Sequence, residues 1–539
     1  MTQETRGNGA RPEPGRLPPA QSARGLLKST SVVSVMTLLS RVLGLVRDVV
    51  FARFFGATIV MDAFIVANRI PNMLRRFFAE GAFSQGFVPV MARYKERRDH
   101  AEARELVDAV AGTLGLVLFV ITAIGVIAAP LLVIAVAPGF IGENGRFDLA
   151  TAMLRFTFPY LFFVSLTAFA GGILNTYGRF AVPAFTPVIL NVVLIASALY
   201  LSPQLAEPGM ALAYGVLLAG LAQLLFQLPF LARIDALPRP RWRPAHKGVK
   251  RVGKLMLPAI FGSSVAQLNV LVGGIIASLL GVGKISLLYY SDRLMEFPLG
   301  LFGIALATVI LPHLSKQHAA ESKTQFSQTV DWSLKLTLLI AVPAAVGLIV
   351  LAVPLVATIF YGGEFSTEDV ELSAISLQAF AIGLIGFSIV KILAPAYFAR
   401  EDTRTPVRFG LIALAVNFVL SVALAWWLTS IDYPATHAGL ALAISVAAIL
   451  NAGLLYRGLR RDGALSHGAG WPVLTLRIVA ANAVMILALN WLARPVDWWL
   501  AADIWARAGW LGLTVGVAAA VYFIVLALSG LRPAQLRLG

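Results

Sequence analysis

The sequence predicts an all-α polytopic membrane protein of about fourteen transmembrane helices. Three observations predict it. Hydrophobic residues fill 58% of the 539 positions and charged residues only 13%, against about 25% charged in a soluble domain. The apolar residues gather in runs of roughly 20 residues or more, long enough to cross a hydrocarbon core as helices. The polar connections alternate between basic and neutral-to-acidic, as they do when successive loops lie on opposite sides of a bilayer. The segments lack the short alternation of barrel strands, which leaves helices as the spanning form.

Taken in order, residues 1–25 are polar and rich in Pro, Gly and Arg, and read as a disordered cytoplasmic tail. The first apolar stretch is broken by Arg41, Arg47 and Asp48, so it does not read as a cleaved secretory signal. Spans are expected at 28–55, 60–90, 107–137, 150–175, 182–202 and 209–232. A second set follows at 253–281, 286–314, 330–360, 370–398, 407–429 and 436–457, and two more at 471–493 and 507–530. Basic residues cluster in alternate loops: Arg93 to Arg104, Arg233 to Lys254, Arg400 to Arg408, and Arg457 to Arg461. That bias places both termini in the cytoplasm. It also accounts for the net charge of +16 without a nucleic-acid partner.

The two sets of six look like repeats. Val88-Pro89-Val90-Met91-Ala92-Arg93 closes span two, and Leu311-Pro312-His313-Leu314-Ser315-Lys316 closes span eight. Tyr177-Gly178-Arg179 leads to Thr186-Pro187, as Tyr397-Phe398-Ala399-Arg400 leads to Thr405-Pro406. Six spans lie between the copies, so both have the same orientation. Two six-helix lobes related by a pseudo-two-fold along the membrane normal are expected, with a site between them. The boundaries are 26–235 for the first lobe, 236–252 for a basic cytoplasmic linker and 253–460 for the second lobe. Residues 461–539 hold the last two helices and a short cytoplasmic tail.

Charges inside the spans carry the functional signal. Arg41, Arg47, Arg69, Arg75 and Arg76 interrupt spans one and two, and Arg293 repeats the pattern in span eight. A charge facing lipid at mid-bilayer costs about 2.5–3.5 kcal/mol even on the lenient scale. A water-filled cavity between helices removes that cost, and a cationic cavity suits an anionic cargo. Arg forks are matched to pyrophosphate. Arg41 and Asp48 share a helix face, as do Asp62, Arg69 and Arg76, with Asn72 nearby. Arg76 and Glu80 are spaced to pair, as are Arg293 and Glu296, beside Asp292. Pro71 is expected to bend span two. Arg53 and Glu80 are placed near an interface, Lys335 and Lys391 within spans. Trp491, Trp498, Trp499, Trp505 and Trp510 read as an aromatic belt.

Other chemistries find no foothold. There is no cysteine, hence no disulfide, thiolate or Cys-metal site. The six histidines are scattered, without metal-ligand spacing. Gly281-Val282-Gly283-Lys284 is followed by Ile285 and lacks the phosphate-loop spacing. No Gly-x-Ser-x-Gly elbow occurs. No enzyme activity, cofactor or metal is expected.

The stretch from Ser40 to Val90 (SRVLGLVRDVVFARFFGATIVMDAFIVANRIPNMLRRFFAEGAFSQGFVPV) resembles the amino-terminal signature of the MurJ (MviN) family. Tyr289–Lys316 and Ile173–Asn191 resemble further segments of it, and the resemblance covers about 26–535. These are lipid II flippases of the multidrug/oligosaccharidyl-lipid/polysaccharide exporter superfamily. The resemblance implies a bacterial inner-membrane protein. Its partners would be lipid II, membrane lipids and, as candidates, cell-wall synthesis proteins. It implies alternating access and movement of the undecaprenyl-pyrophosphate-linked precursor to the periplasmic leaflet. Arg41, Arg47, Arg75, Arg76, Arg293 and Asn72 are the substrate-binding candidates. Asp48, Asp62, Glu80, Asp292 and Glu296 are the gating or salt-bridge candidates. The last two helices would form an apolar groove for the polyprenyl tail. Gly273 stands where some relatives carry an aspartate, so a sodium site of that kind is not carried over. Rival readings are a flippase for another lipid-linked oligosaccharide, a drug exporter of the same superfamily, and a non-transporting scaffold.

Overall fold

The computed structural model describes residues 23–76, 82–96, 100–142, 145–320, 322–466, 468 and 470–531. Residues 1–22 of the tail expected at 1–25 lie outside these residues, as does Glu80, whereas residues 23–25 already belong to the first helix. Among the described residues the chain is helical, and the sole β feature is an isolated bridge between Gly362 and Phe365.

The first half runs α1 (Ala23–Phe55), α2 (Ile59–Arg75), α3 (Ala82–Glu96), α4 (His100–Ile127), α5 (Ala129–Val136), α6 (Arg146–Thr157), α7 (Tyr160–Thr176), α8 (Ala181–Ala196) and α9 (Met210–Ala232). The second half runs α10 (Lys247–Ser278), α11 (Lys284–Ala319), α12 (Lys323–Val350), α13 (Ala352–Ile359), α14 (Thr367–Phe398), α15 (Arg404–Ser430) and α16 (Ala438–Arg461). The carboxy-terminal unit is α17 (Trp471–Trp491), α18 (Val496–Ala501) and α19 (Ile504–Leu528). Among the described residues, ten helices are long and apolar enough to cross a membrane. This is a multi-span membrane protein.

Several expected single spans are broken, with local causes. Span three divides at Ala128, where Pro130 occupies the first turn of α5. Span four divides at Phe158–Pro159, because proline supplies no N–H to continue the ladder. Span nine divides at Leu351 between α12 and α13. Pro71 lies inside α2, which continues past it to Arg75. α10 starts at Lys247, inside the stretch expected as linker, where the His246 side chain accepts a bond from Gly248 N at 3.2 Å.

Within the first half, α1 packs on α8, α2 on α6, and α7 and α8 on α9. In the second, α14 is central, touching α11, α12 and α16. The halves meet through α3 on α10, α2 on α11 and α1 on α11. α17 and α19 pair with each other and lean on α12 and α13. Two polar contacts fasten them there: Trp471 Nε1 donates to Asp331 at 2.6 Å, and Tyr522 Oη donates to the Leu339 carbonyl at 2.8 Å. Large apolar side chains such as Ile127, Leu476, Leu487 and Leu528 point outward, the arrangement a lipid solvent stabilises.

Candidate functional site

The charged residues of α1 and α11 meet between the two halves. Asp48 is buried at the centre. Its Oδ1 accepts bonds from Arg47 Nε at 3.0 Å, Arg47 Nη2 at 2.7 Å and Tyr289 Oη at 2.8 Å. Its Oδ2 lies 3.5 Å from Arg293 Nε. Arg47 Nη1 donates to Asn191 on α8 at 3.1 Å, and Asn191 donates to the Ser40 carbonyl at 3.0 Å. Arg293 spans the cluster, with Nη1 on Glu296 at 2.9 Å and its guanidinium 5.0 Å from the Tyr289 ring centroid. One carboxylate thus joins residues of both halves. Arg293 is 38% exposed against 15% for Arg47, so Arg293 has the freer face.

Arg41 lies further along the same seam. A Cβ at Gly300 of α11 would overlap Arg41 Nη1, so the guanidinium occupies space that only glycine leaves. Gly300 is two helical turns beyond Arg293, roughly 10 Å at 1.5 Å per residue. Lys391 on α14 is within electrostatic reach of Arg41 and Glu296. On α2, Arg69 fills the space beside Gly274 of α10 in the same way. Arg76 donates to Gln267 of α10 at 3.4 Å. The result is an interior seam with more cations than carboxylates.

At one end of this seam the halves are closed. The Asp62 carboxylate and the Arg146 guanidinium are wholly buried, 3.1 Å apart. Asp62 also accepts from Gly283 N at 2.7 Å, Ser286 N at 2.9 Å and Ser286 Oγ at 2.6 Å. Gly283 is the N-cap residue of α11, with φ +78°, and has no side chain to cap with. Asp62 supplies the missing acceptor from the other half of the molecule, in the role a serine or aspartate plays at an ordinary N-cap. Arg146 further donates to the Gly281 carbonyl at 3.2 Å and stacks on Phe140 at 4.1 Å. Nearby, Glu364 N donates to the Arg53 carbonyl at 2.9 Å, and Gly56 and Gly363 allow the backbones to approach.

Comparison with known proteins shows the family. The sequence profile described as "Lipid II flippase MurJ" matches residues 51–505. The chain belongs to the MurJ family of lipid II flippases. It is 47% identical over 524 residues to a Vibrio cholerae protein named "Probable lipid II flippase MurJ", covering 96% of this chain and 98% of the relative. It is 42% identical over 517 residues to the Burkholderia cenocepacia "Lipid II flippase MurJ", covering 95% and 99%. A solved structure titled "Lipid II flippase MurJ, inward closed conformation" superposes with TM-score 0.75 at 26% identity, covering 92% of this chain and 98% of that one. A multidrug resistance MATE family transporter in its inward-facing conformation gives TM-score 0.64 at 14% identity, covering 80% and 98%. That likeness shows the fold alone.

The site residues expected from sequence fall into three groups. Arg41, Arg47, Asp48, Arg293 and Glu296 come together at the α1–α11 seam, with Asp292 beside Arg293. Arg75, Arg76 and the half-buried Asn72 lie at the end of α2. Asp62 stands apart, in the closed end. The expected pairing of Arg293 with Glu296 is present. Asp48 engages Arg47 and Arg293 rather than Arg41. The expected partner of Arg76, Glu80, lies outside the described residues. Asn191, Gln267, Ser286 and Arg146 were not legible as site residues. Only Gly281-Val282-Gly283 offered a signal, as a turn whose free N–H groups need an acceptor. Trp499 departs from the expected belt, because it is buried where α18 packs on α13.

Proposed function

We propose that this protein flips lipid II, moving the undecaprenyl-pyrophosphate-linked precursor from the cytoplasmic to the periplasmic leaflet of the inner membrane by alternating access. The observation that carries the reading is the seam itself. Arg41 from one half and Arg293 from the other lie on a seam where, with Arg47, Arg69, Arg76 and Lys391, cations outnumber the carboxylates Asp48, Asp292 and Glu296. Guanidinium groups brought to one seam from both halves suit a pyrophosphate with its sugar-peptide head.

In this reading Arg41, Arg75, Arg76, Arg293 and Asn72 hold the head group. Arg47 joins them by fixing Asp48, which in turn aims Arg293. Asp62 is the periplasmic gate, and Asp48, Glu80, Asp292 and Glu296 are the carboxylates that exchange partners between states. Fourteen spans are arranged as two six-helix lobes related along the membrane normal, the first ending near 235 and the second entered through α10, with the basic residues before Lys247 as linker. The matching breaks after α4 and α12, each 28 residues long and followed by an eight-residue helix, support that relation. Residues 461–539 supply the last two spans, which cradle the polyprenyl tail, and both termini are cytoplasmic. A cytoplasm-negative potential favours outward passage of the anion, by ~2.3 kcal/mol per charge per 100 mV.

The test is complementation of a flippase-depleted strain, with inner-leaflet lipid II measured alongside. Arg41→Ala and Arg293→Ala are expected to insert at normal levels and fail to support growth, with lipid II retained inside. Full growth with both variants would overturn the cavity assignment.

A further inference from the structure

Beyond the seam, a second cationic corner lies at the end of the bundle that carries the Asp62 network. Arg507 sits in the first turn of α19 and is only 8% exposed. Its Nη1 donates to the Ala357 carbonyl at the end of α13, at 2.8 Å, and its guanidinium lies 5.3 Å from the Tyr361 ring centroid. Among the described residues its Nε is buried with no partner. Across the 360–365 loop stands Arg53, in the last turn of α1. Its carbonyl is held by Glu364 N, while its own Nε is likewise buried without a partner.

Arg53, another cation, is within electrostatic reach of Arg507, as are Tyr361 and Asp503. Asp503 is committed elsewhere, its Oδ1 capping α19 by accepting from Trp505 N at 2.8 Å and Ala506 N at 3.0 Å. Among the described residues neither arginine has a carboxylate within ion-pair distance. A third orphan donor, the buried Trp499 Nε1, is on α18, which packs on the same α13. Donors without acceptors are costly when buried, and an anion would satisfy the two arginines. The neighbouring surface is lipid-facing and aromatic, with Trp491 and Trp505 both more than four-fifths exposed, which sets the corner at headgroup depth.

We propose that Arg53, Arg507 and Tyr361 form a release-side site for the pyrophosphate of a polyprenyl lipid in the outer leaflet. The site is separate from the seam and lies beside the carboxy-terminal helices. The assignment of leaflet and cargo rests on the proposed function; the anion site rests on the corner's own geometry. A head group leaving the seam would pass to these arginines while its tail stayed against α17 and α19.

Native mass spectrometry in zwitterionic nanodiscs tests this, with undecaprenyl pyrophosphate as the probe. The wild-type protein is expected to hold two molecules. Arg41→Ala/Arg293→Ala should keep one, and adding Arg53→Gln/Arg507→Gln to that background should weaken the remaining site at least tenfold. Arg507→Lys keeps the charge and should bind within threefold of wild type. Unchanged binding on adding Arg53→Gln/Arg507→Gln overturns the outer site. If Arg507→Gln fails to fold, Arg53→Gln decides alone, since the Glu364 contact uses only its backbone. Equal competition by inorganic pyrophosphate, or by phosphatidylglycerol, overturns the polyprenyl cargo. Two molecules retained by Arg41→Ala/Arg293→Ala overturns the seam reading instead, and leaves the outer site to be judged by its own variants.

Discussion

Asp62 offers the sharpest test of how the closed end is held. Its carboxylate makes three hydrogen bonds across the halves, to Gly283 N, Ser286 N and Ser286 Oγ. The Arg146 pair stays within one half and survives opening. Hydrogen bonds to a charged acceptor contribute about 1.5–3 kcal/mol each, and water offsets part of that once the end opens. Roughly 3–5 kcal/mol in favour of closure follows, a factor of about 10² to 10⁴ in population. Asp62→Ala should therefore turn the open form from a trace into a large fraction. The chain has no cysteine, so labels at Glu207→Cys and Glu371→Cys, both exposed and on opposite halves, report the gap by pulsed electron resonance. Wild type should give one short distance and Asp62→Ala a second, longer one. Ser286→Ala loses one bond and should shift the balance about fivefold, ~1 kcal/mol. It also guards against misfolding of the first variant, which removes the carboxylate beside the buried Arg146. An unchanged distance distribution in both folded variants would refute the capping argument.

Two further expectations come from packing. Gly300→Val should displace Arg41 from the face of α11 and lower flipping as far as Arg41→Ala does. The overpacking cost is about 1–3 kcal/mol, and near-normal lipid II transport would show that Arg41 acts from elsewhere. Trp471→Phe removes the 2.6 Å bond to Asp331 and leaves that carboxylate with Lys335 at 2.7 Å. Loss of about 1–3 kcal/mol should appear as a lower melting temperature and easier proteolysis between α16 and α17; an unaltered melt would mean that Tyr522 and the apolar contacts suffice.

Much of this protein is set by local chemistry, and so can be read from the chain. Apolar runs longer than 20 residues must be helical in lipid, because no water is present to satisfy the backbone. Arginines inside such runs must face something polar, which is why Arg41, Arg47 and Arg293 pointed to an interior seam before any coordinates. The Arg293–Glu296 pair follows from helical spacing alone. Breaks at Ala128 and Leu351 were less legible, since composition does not change across them. What no local rule supplies is the partner across the seam. Asp62 and Gly283 are 221 residues apart, and neither shows in sequence that one caps the helix begun by the other. Gly300 and Gly274 look like ordinary small residues until Arg41 and Arg69 occupy the space above them. Arg507 reads as a charge at a helix start until its burial against Ala357 and Tyr361 is seen. The sequence alone determines which side chains cannot face lipid, because transfer free energy belongs to each residue. Only the tertiary structure decides which of them meet, because the contacts that satisfy them come from segments that the chain brings together after hundreds of residues.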